Sequence, residues 1–115
     1  MKIQYLEVVT NEVEAMCAKY SAFHQVEFSE PTQELGNARV ADLEHGGRIG
    51  VRAPMHDQEP LEIRPYWLVK DAQIALDAVM AKGATMAHPA MQIPGQGTFA
   101  LYVLDGIMQG FWQLD

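Results

Sequence analysis

Few side chains in this 115-residue chain have the type and placement to do chemistry. Glu7 lies inside an apolar, β-branched run from Ile3 to Val9, and Arg64 opens a second strand-like run over 64–69. A carboxylate held beside aromatic rings can orient a ligand or act as a general base. A guanidinium fork matches a carboxylate or a phosphate. The plainer alternatives are a structural Glu7–Arg64 ion pair, or an Arg64 that points into water. Tyr5, Tyr66 and Trp112 together would give a flat, partly polar lining suited to aromatic or heterocyclic ligands; the alternative for each is ordinary core packing. Met55, Met80, Met86, Met91 and Met108 form no helical stripe and read as gap-filling or rim residues, Met108 on the ligand side. His24, His45, His56 and His88 fall in expected loops or strand ends without metal-ligand spacing, and each reads as solvated. Cys17 is the single cysteine, so an intrachain disulfide and a cysteine zinc site are excluded, and a buried, inert thiol is expected. No nucleophile–base arrangement, phosphate-cradling loop or dinucleotide fingerprint is present.

Composition narrows the classes further. Hydrophobic residues make up 49% and charged residues 20%, the balance of a globular domain, and the length suits a single one spanning 1–115. Fifteen acidic against eight basic residues leave a formal charge of −7, which repels nucleic-acid phosphates and anionic lipid. No apolar run approaches the roughly 20 residues that span a bilayer. The opening Met1-Lys2-Ile3-Gln4-Tyr5 lacks a secretion-signal pattern, so a cytoplasmic protein is expected.

The elements that must position these residues follow from periodicity. After the first strand, Val13, Met16, Cys17 and Tyr20 recur at i, i+3, i+4 and i+7 and predict a helix, with Asn11 as its cap. Strands are expected at Gln25–Phe28, Ala38–Leu43 and Arg48–Ala53, the last two joined by a His45-Gly46-Gly47 turn. Pro54–Glu62 reads as a polar linker. The same order then recurs. A strand is expected at Arg64–Val69, a helix at about Asp71–Lys82 closed by Gly83, and strands at Thr85–His88, Thr98–Val103 and Ile107–Leu114. Asp105-Gly106 is a two-residue hairpin signal between the last pair. Pro89–Gly97 reads as a loop at the rim of the site.

The two halves superpose at a constant offset of 59, which carries Val13, Met16, Cys17 and Tyr20 onto Ala72, Ala75, Leu76 and Val79. An internal duplication explains the matching element order, helix face and turn position. The fold class is α+β, with two tandem βαβββ modules: about 3–53, a linker at 54–62, and about 63–115. Alternation along each strand sorts the faces. Leu6 and Val8 should meet the first helix, leaving Tyr5, Glu7 and Val9 on the other side. Arg64, Tyr66 and Leu68 occupy the equivalent face in the second half, with Met108, Gly110 and Trp112 from the last strand. Trp67 belongs to the helix side. Arg48 and Arg52 are expected on the face opposite the site.

Two such units, with Tyr5-Leu6-Glu7 before the helix and Tyr20-Ser21-Ala22-Phe23 closing it, resemble the vicinal oxygen chelate superfamily. This is the superfamily of glyoxalase I, the bleomycin- and fosfomycin-resistance proteins and the extradiol dioxygenases. Pro65-Tyr66, Ile93-Pro94-Gly95, Phe99 and Trp112-Gln113 strengthen the resemblance. Leu104-Asp105-Gly106 departs from it, where the family often has Asp-Pro-x-Gly. The resemblance implies a curved mixed sheet forming a half-barrel, helices outside, a cleft between paired units, and a homodimer.

It also implies a divalent metal held by His, Glu or Gln at the first and last strands. Those positions fall here on Tyr5, Val51, Arg64 and Gly110, none of which is a suitable donor. No metal and no other cofactor are therefore expected. The function expected is metal-independent binding of a small organic molecule, aromatic or anionic, through Tyr5, Glu7, Arg64, Tyr66, Met108 and Trp112. Neither nucleic acid nor membrane is an expected partner. One alternative is a metal-dependent lyase, isomerase or dioxygenase of the glyoxalase kind, for which Glu7 is the candidate catalytic residue. The other is a dimerisation module with a vestigial cleft.

Overall fold

The computed structural model describes residues Met1–Asp115. Seven strands and two α-helices follow in the order β1 (Ile3–Val9), α1 (Val13–His24), β2 (Arg39–Asp42), β3 (Arg48–Arg52), β4 (Ile63–Leu68), α2 (Ala72–Ala81), β5 (Thr85–Ile93), β6 (Gly97–Leu104) and β7 (Ile107–Gln113). This is the α+β class that the sequence pattern predicts. The chain divides into two units, Tyr5–Ile63 and Met1–Gln4 with Arg64–Asp115. They are called N-terminal and C-terminal below.

In the N-terminal unit the strands lie in the order β2-β3-β1, with β3 parallel to β1 and antiparallel to β2. Val8, Cys17, Ala41, Ile49 and Val51 form its buried apolar cluster, with Leu6, Val13, Met16 and Tyr20 packed against them. The predicted helix stripe therefore meets Leu6 and Val8, the alternate residues of β1 that parity assigns to it. Cys17 is buried, and burial pushes its thiol above the usual range, the state of an inert core residue.

Two local expectations fail here. Gln25–Phe28 forms no strand; the chain beyond it only touches β2 and the residue ahead of it, Ser29 N–H donating to Val40 O at 2.8 Å and Thr32 N–H to Ala38 O at 2.8 Å. Val26 and Phe28 nevertheless pack on the apolar cluster, which accounts for their hydrophobic spacing without a ladder. Nor does Asn11 cap α1. The helix begins after Glu12 with no side-chain cap, and Thr10 Oγ1 accepts from Glu12 N–H at 3.0 Å instead.

The C-terminal unit keeps the full βαβββ order, with strands arranged β4-β7-β6-β5. β7 runs parallel to β4 and antiparallel to β6, and β6 runs antiparallel to β5. Ala72, Leu76, Ala84, Ala100, Tyr102 and Phe111 form the cluster under α2, joined by Trp67, Ala75 and Val79. Asp71 caps α2 by accepting from Ile74 N–H at 2.9 Å, and Gly83, at φ +108°, closes it. Asp105 and Gly106 take φ of +50° and +83° in a two-residue turn that pairs Leu104 with Ile107, the hairpin that the dipeptide predicts.

The expected loop over Pro89–Gly97 is mostly strand: β5 continues to Ile93, leaving a short turn before β6. The ladder absorbs Pro89 through register shifts between Met86 and His88 and between His88 and Met91. Proline lacks the amide that a regular ladder needs, and an irregularity in the pairing accommodates that loss.

Candidate functional site

In each unit the buried charged residues lie on the face of the sheet turned away from the helix, with aromatic rings beside them. In β1 this face comprises Tyr5, Glu7 and Val9, which pair in register with Arg48, Gly50 and Arg52 of β3. The last three residues correct the sequence reading, which sets Arg48 and Arg52 on the opposite face. The cause is a slip in the repeat. Glu7 pairs with Gly50 and Tyr66 with Gly110, so the offset is 66 − 7 = 59 in the first strand but 110 − 50 = 60 in the last. A one-residue slip inverts every side chain of a strand. Val51 consequently lies in the cluster under α1, and Gly50 takes the place that a gap-free repeat assigns to Val51.

Arg52 organises the N-terminal face. It is 3% exposed, and its Nε donates to Glu7 Oε2 at 2.8 Å. Its Nη1 and Nη2 donate to Glu59 Oε1 and Oε2 at 2.8 and 2.6 Å, and Nη1 also reaches Ala53 O at 3.1 Å. Glu59 in turn accepts from Met55 N–H at 2.8 Å, which ties the linker to the cluster. Burial is the largest influence on Arg52 and disfavours its charge. The bonds to Glu59 and Glu7 outweigh that effect and hold the guanidinium ionised beyond its usual range. Glu7 is buried as well, and Arg52 holds one of its carboxylate oxygens. A carboxylate bonded this way is oriented as a hydrogen-bond acceptor; using it as a base would mean loosening that bond.

Tyr5 is also buried, and its hydroxyl lies directly over Gly50, where an added Cβ would collide with it. Burial first, then the Glu7 carboxylate, push its phenol well above the usual tyrosine range, against the pull of Arg52 and Arg48.

The C-terminal unit puts rings where the N-terminal unit puts charges. Tyr66 and Trp112 meet edge to face at 5.7 Å, and Tyr66 meets Phe99 at 6.4 Å. Phe99 stacks on His88 at 4.9 Å, with 28° between the planes. Trp112 Nε1–H donates to Gln96 O at 3.1 Å, so the indole is anchored at its polar end. Tyr66 and Trp112 are buried, whereas Phe99, His88 and Met108 are half-buried. The Tyr66 ring fills the room beside Gly110, as Tyr5 fills that beside Gly50. Arg64, 4% exposed, shares the Tyr66 face by alternation along β4.

The six residues singled out from sequence thus divide between units: Tyr5 and Glu7 in one, Arg64, Tyr66, Met108 and Trp112 in the other. Tyr66 and Trp112 touch. Sequence reasoning missed Arg52, Glu59, Phe99 and His88. A charged residue inside the otherwise apolar run Ile49-Gly50-Val51-Arg52 was the available signal for Arg52.

The divalent metal of the resemblance does not fit these residues. The first- and last-strand positions are Tyr5, Gly50, Arg64 and Gly110, and tyrosine rings occupy the space beside both glycines. Elsewhere no three His, Cys, Asp or Glu side chains converge as a cation would need.

No protein-family profile matches the chain, and no curated sequence is close enough to count as a relative. Solved structures do match. They share the α+β fold of this chain over nearly its whole length. A methylmalonyl-CoA epimerase from Mycobacterium tuberculosis superposes with a TM-score of 0.76 at 10% identity, covering 98% of this chain and 87% of its own. A variant of the Streptomyces coelicolor methylmalonyl-CoA epimerase, solved with 2-nitronate-propionyl-CoA, gives 0.72 at 12% identity over 99% and 97%. A hypothetical protein from Bacillus halodurans gives 0.76 at 14% identity over 99% and 94%.

Proposed function

We propose that this chain is a small-molecule-binding protein of the glyoxalase and bleomycin-resistance type, working without a metal on an aromatic or anionic organic ligand. The observation that carries the reading is where each unit buries its polar groups. The clusters under the helices contain no buried charge, while Glu7, Arg52, Arg64 and the rings of Tyr5, Tyr66 and Trp112 are buried on the other strand faces. Burying a charged pair costs several kcal/mol per ion before its attraction is counted, and an apolar substitute is often equally stable. Groups of this kind, on the faces that parity assigns to ligand binding, favour recognition over packing alone. Tyr5, Glu7, Arg64, Tyr66, Met108 and Trp112 are the proposed ligand-binding residues, with a homodimer in the cytoplasm as the proposed working form. Calorimetric titration with aromatic acids and nitrogen heterocycles, after dialysis against a chelator, tests the reading. A saturable, stoichiometric heat is expected. Binding that appears only when a divalent ion is restored would contradict it.

The likeness to methylmalonyl-CoA epimerases favours a second reading, an isomerase in which the buried Glu7 carboxylate moves a proton. Incubation with methylmalonyl-CoA in deuterated water separates the two. Deuterium entering the acyl group, and lost in Glu7→Gln, supports an isomerase; an unlabelled ester supports binding alone.

A further inference from the structure

On the proposed binding function rests a second step, and we infer that His88 selects within the ligand class. It presents one hydrogen-bond acceptor beside the ring cluster of the C-terminal unit, suited to an aromatic ligand with an O–H or N–H donor: a phenol or a hydroxy-heteroaromatic. His88 lies on β5 between the two register shifts of that strand. Irregularities of this kind re-aim side chains, and the imidazole here lies flat against Phe99.

Its Nδ1 is 2.6 Å from Pro89 O. A carbonyl oxygen only accepts, so Nδ1 must carry the proton. In the neutral imidazole the lone pair then belongs to Nε2. That nitrogen has no hydrogen-bond partner in the protein. Phe99 also meets the Tyr66 ring, and Tyr66 meets Trp112, so His88 ends a continuous run of rings. A ligand ring donating to Nε2 in the imidazole plane would extend the layer that already stacks on Phe99. Phe99 and His88 are the half-buried rings of that run, whereas Tyr66 and Trp112 are buried, so an arriving ring meets His88 and Phe99 first.

The test compares matched probes, hydroxy-aromatics and their methyl ethers, titrated by calorimetry at about pH 8, where an ordinary imidazole is neutral. The expected preference for the hydroxyl form is about tenfold, the worth of one good hydrogen bond. His88→Phe keeps the stack on Phe99 and removes the acceptor. Its expected behaviour is unchanged ether affinity and a ratio near one. Equal binding of hydroxyl and ether by the native protein, or a preference that survives in His88→Phe, would overturn the role of His88 while leaving the binding function standing. Failure of every probe, ether and hydroxyl alike, would sink both. Nitrogen-15 spectra of the imidazoles give a readout independent of ligand: His88 should show a protonated Nδ1 and a bare Nε2, and the reverse tautomer would refute the assignment.

Discussion

Two units of one plan have put different chemistry in the same place. In the N-terminal unit a buried guanidinium joins Glu7 to Glu59, and a tyrosine hydroxyl covers a glycine. The C-terminal unit has four successive rings on the equivalent face, and a tyrosine ring covers the equivalent glycine. What both retain is the glycine in the last strand with a tyrosine laid over it. What differs is the source of order, directional charge in one and ring packing in the other. A duplicated scaffold needs only the alternation of its strands to keep such faces in place, so the chemistry on each is free to diverge.

Breaking the charged side should have the largest effect. Arg52→Met leaves two carboxylates without their shared cation, and removing one partner of a buried pair typically costs about 3–5 kcal/mol. Urea unfolding should register that loss, and a loss below about 1 kcal/mol would mean the cluster is solvated.

The glycines sharpen the comparison. Gly50→Ala and Gly110→Ala each force a Cβ into a tyrosine, at an expected cost of about 1–3 kcal/mol. Their rescues should differ. The nearest atom at Gly50 is the Tyr5 hydroxyl, whereas at Gly110 the nearest atoms are ring carbons of Tyr66. Tyr5→Phe should therefore recover part of the stability lost in Gly50→Ala, and Tyr66→Phe should recover none of that lost in Gly110→Ala. Thermal denaturation of the four variants decides the point.

Alkaline titration follows. Burial raises both Tyr5 and Tyr102, so ultraviolet difference spectra should show at least two tyrosines ionising late. A raised folded-state value means the native protein holds protons that the unfolded chain has released. Stability is then fully present below about pH 10 and falls above it, by at most about 1.4 kcal/mol per group for each further pH unit. The smallest effect belongs to the helix starts: Asp71→Ala should cost about 1 kcal/mol, whereas Glu12→Ala, which removes no cap bond, should cost a few tenths.

Much of this architecture was legible in the residues. Helical spacing gave both helices and the faces they bury, and Asp105-Gly106 gave the last hairpin, because periodicity and turn chemistry are local properties. Alternation placed Tyr66 and Trp112 on one face correctly. The one-residue slip between repeats was not legible, since connection lengths differ between the halves and strand alternation does not report them. The first half joins Asp42 to Arg48 across five residues, the second Leu104 to Ile107 across two. That slip hid Arg52 from the site. Glu59 was hidden for a different reason: a linker carboxylate becomes a site residue only once the chain folds back onto Arg52.

In the proposed binding function, ligand meets the ring face of the C-terminal unit and not its helix face. The two tryptophans report on it separately: Trp67 Nε1–H donates to Gln109 on the helix side, and Trp112 Nε1–H to Gln96 O on the ring face. In a nitrogen-15 correlation spectrum, a binding aromatic compound should move the Trp112 indole signal saturably and leave that of Trp67 in place. Movement of Trp67 alone, or of neither across a broad aromatic panel, would contradict the account.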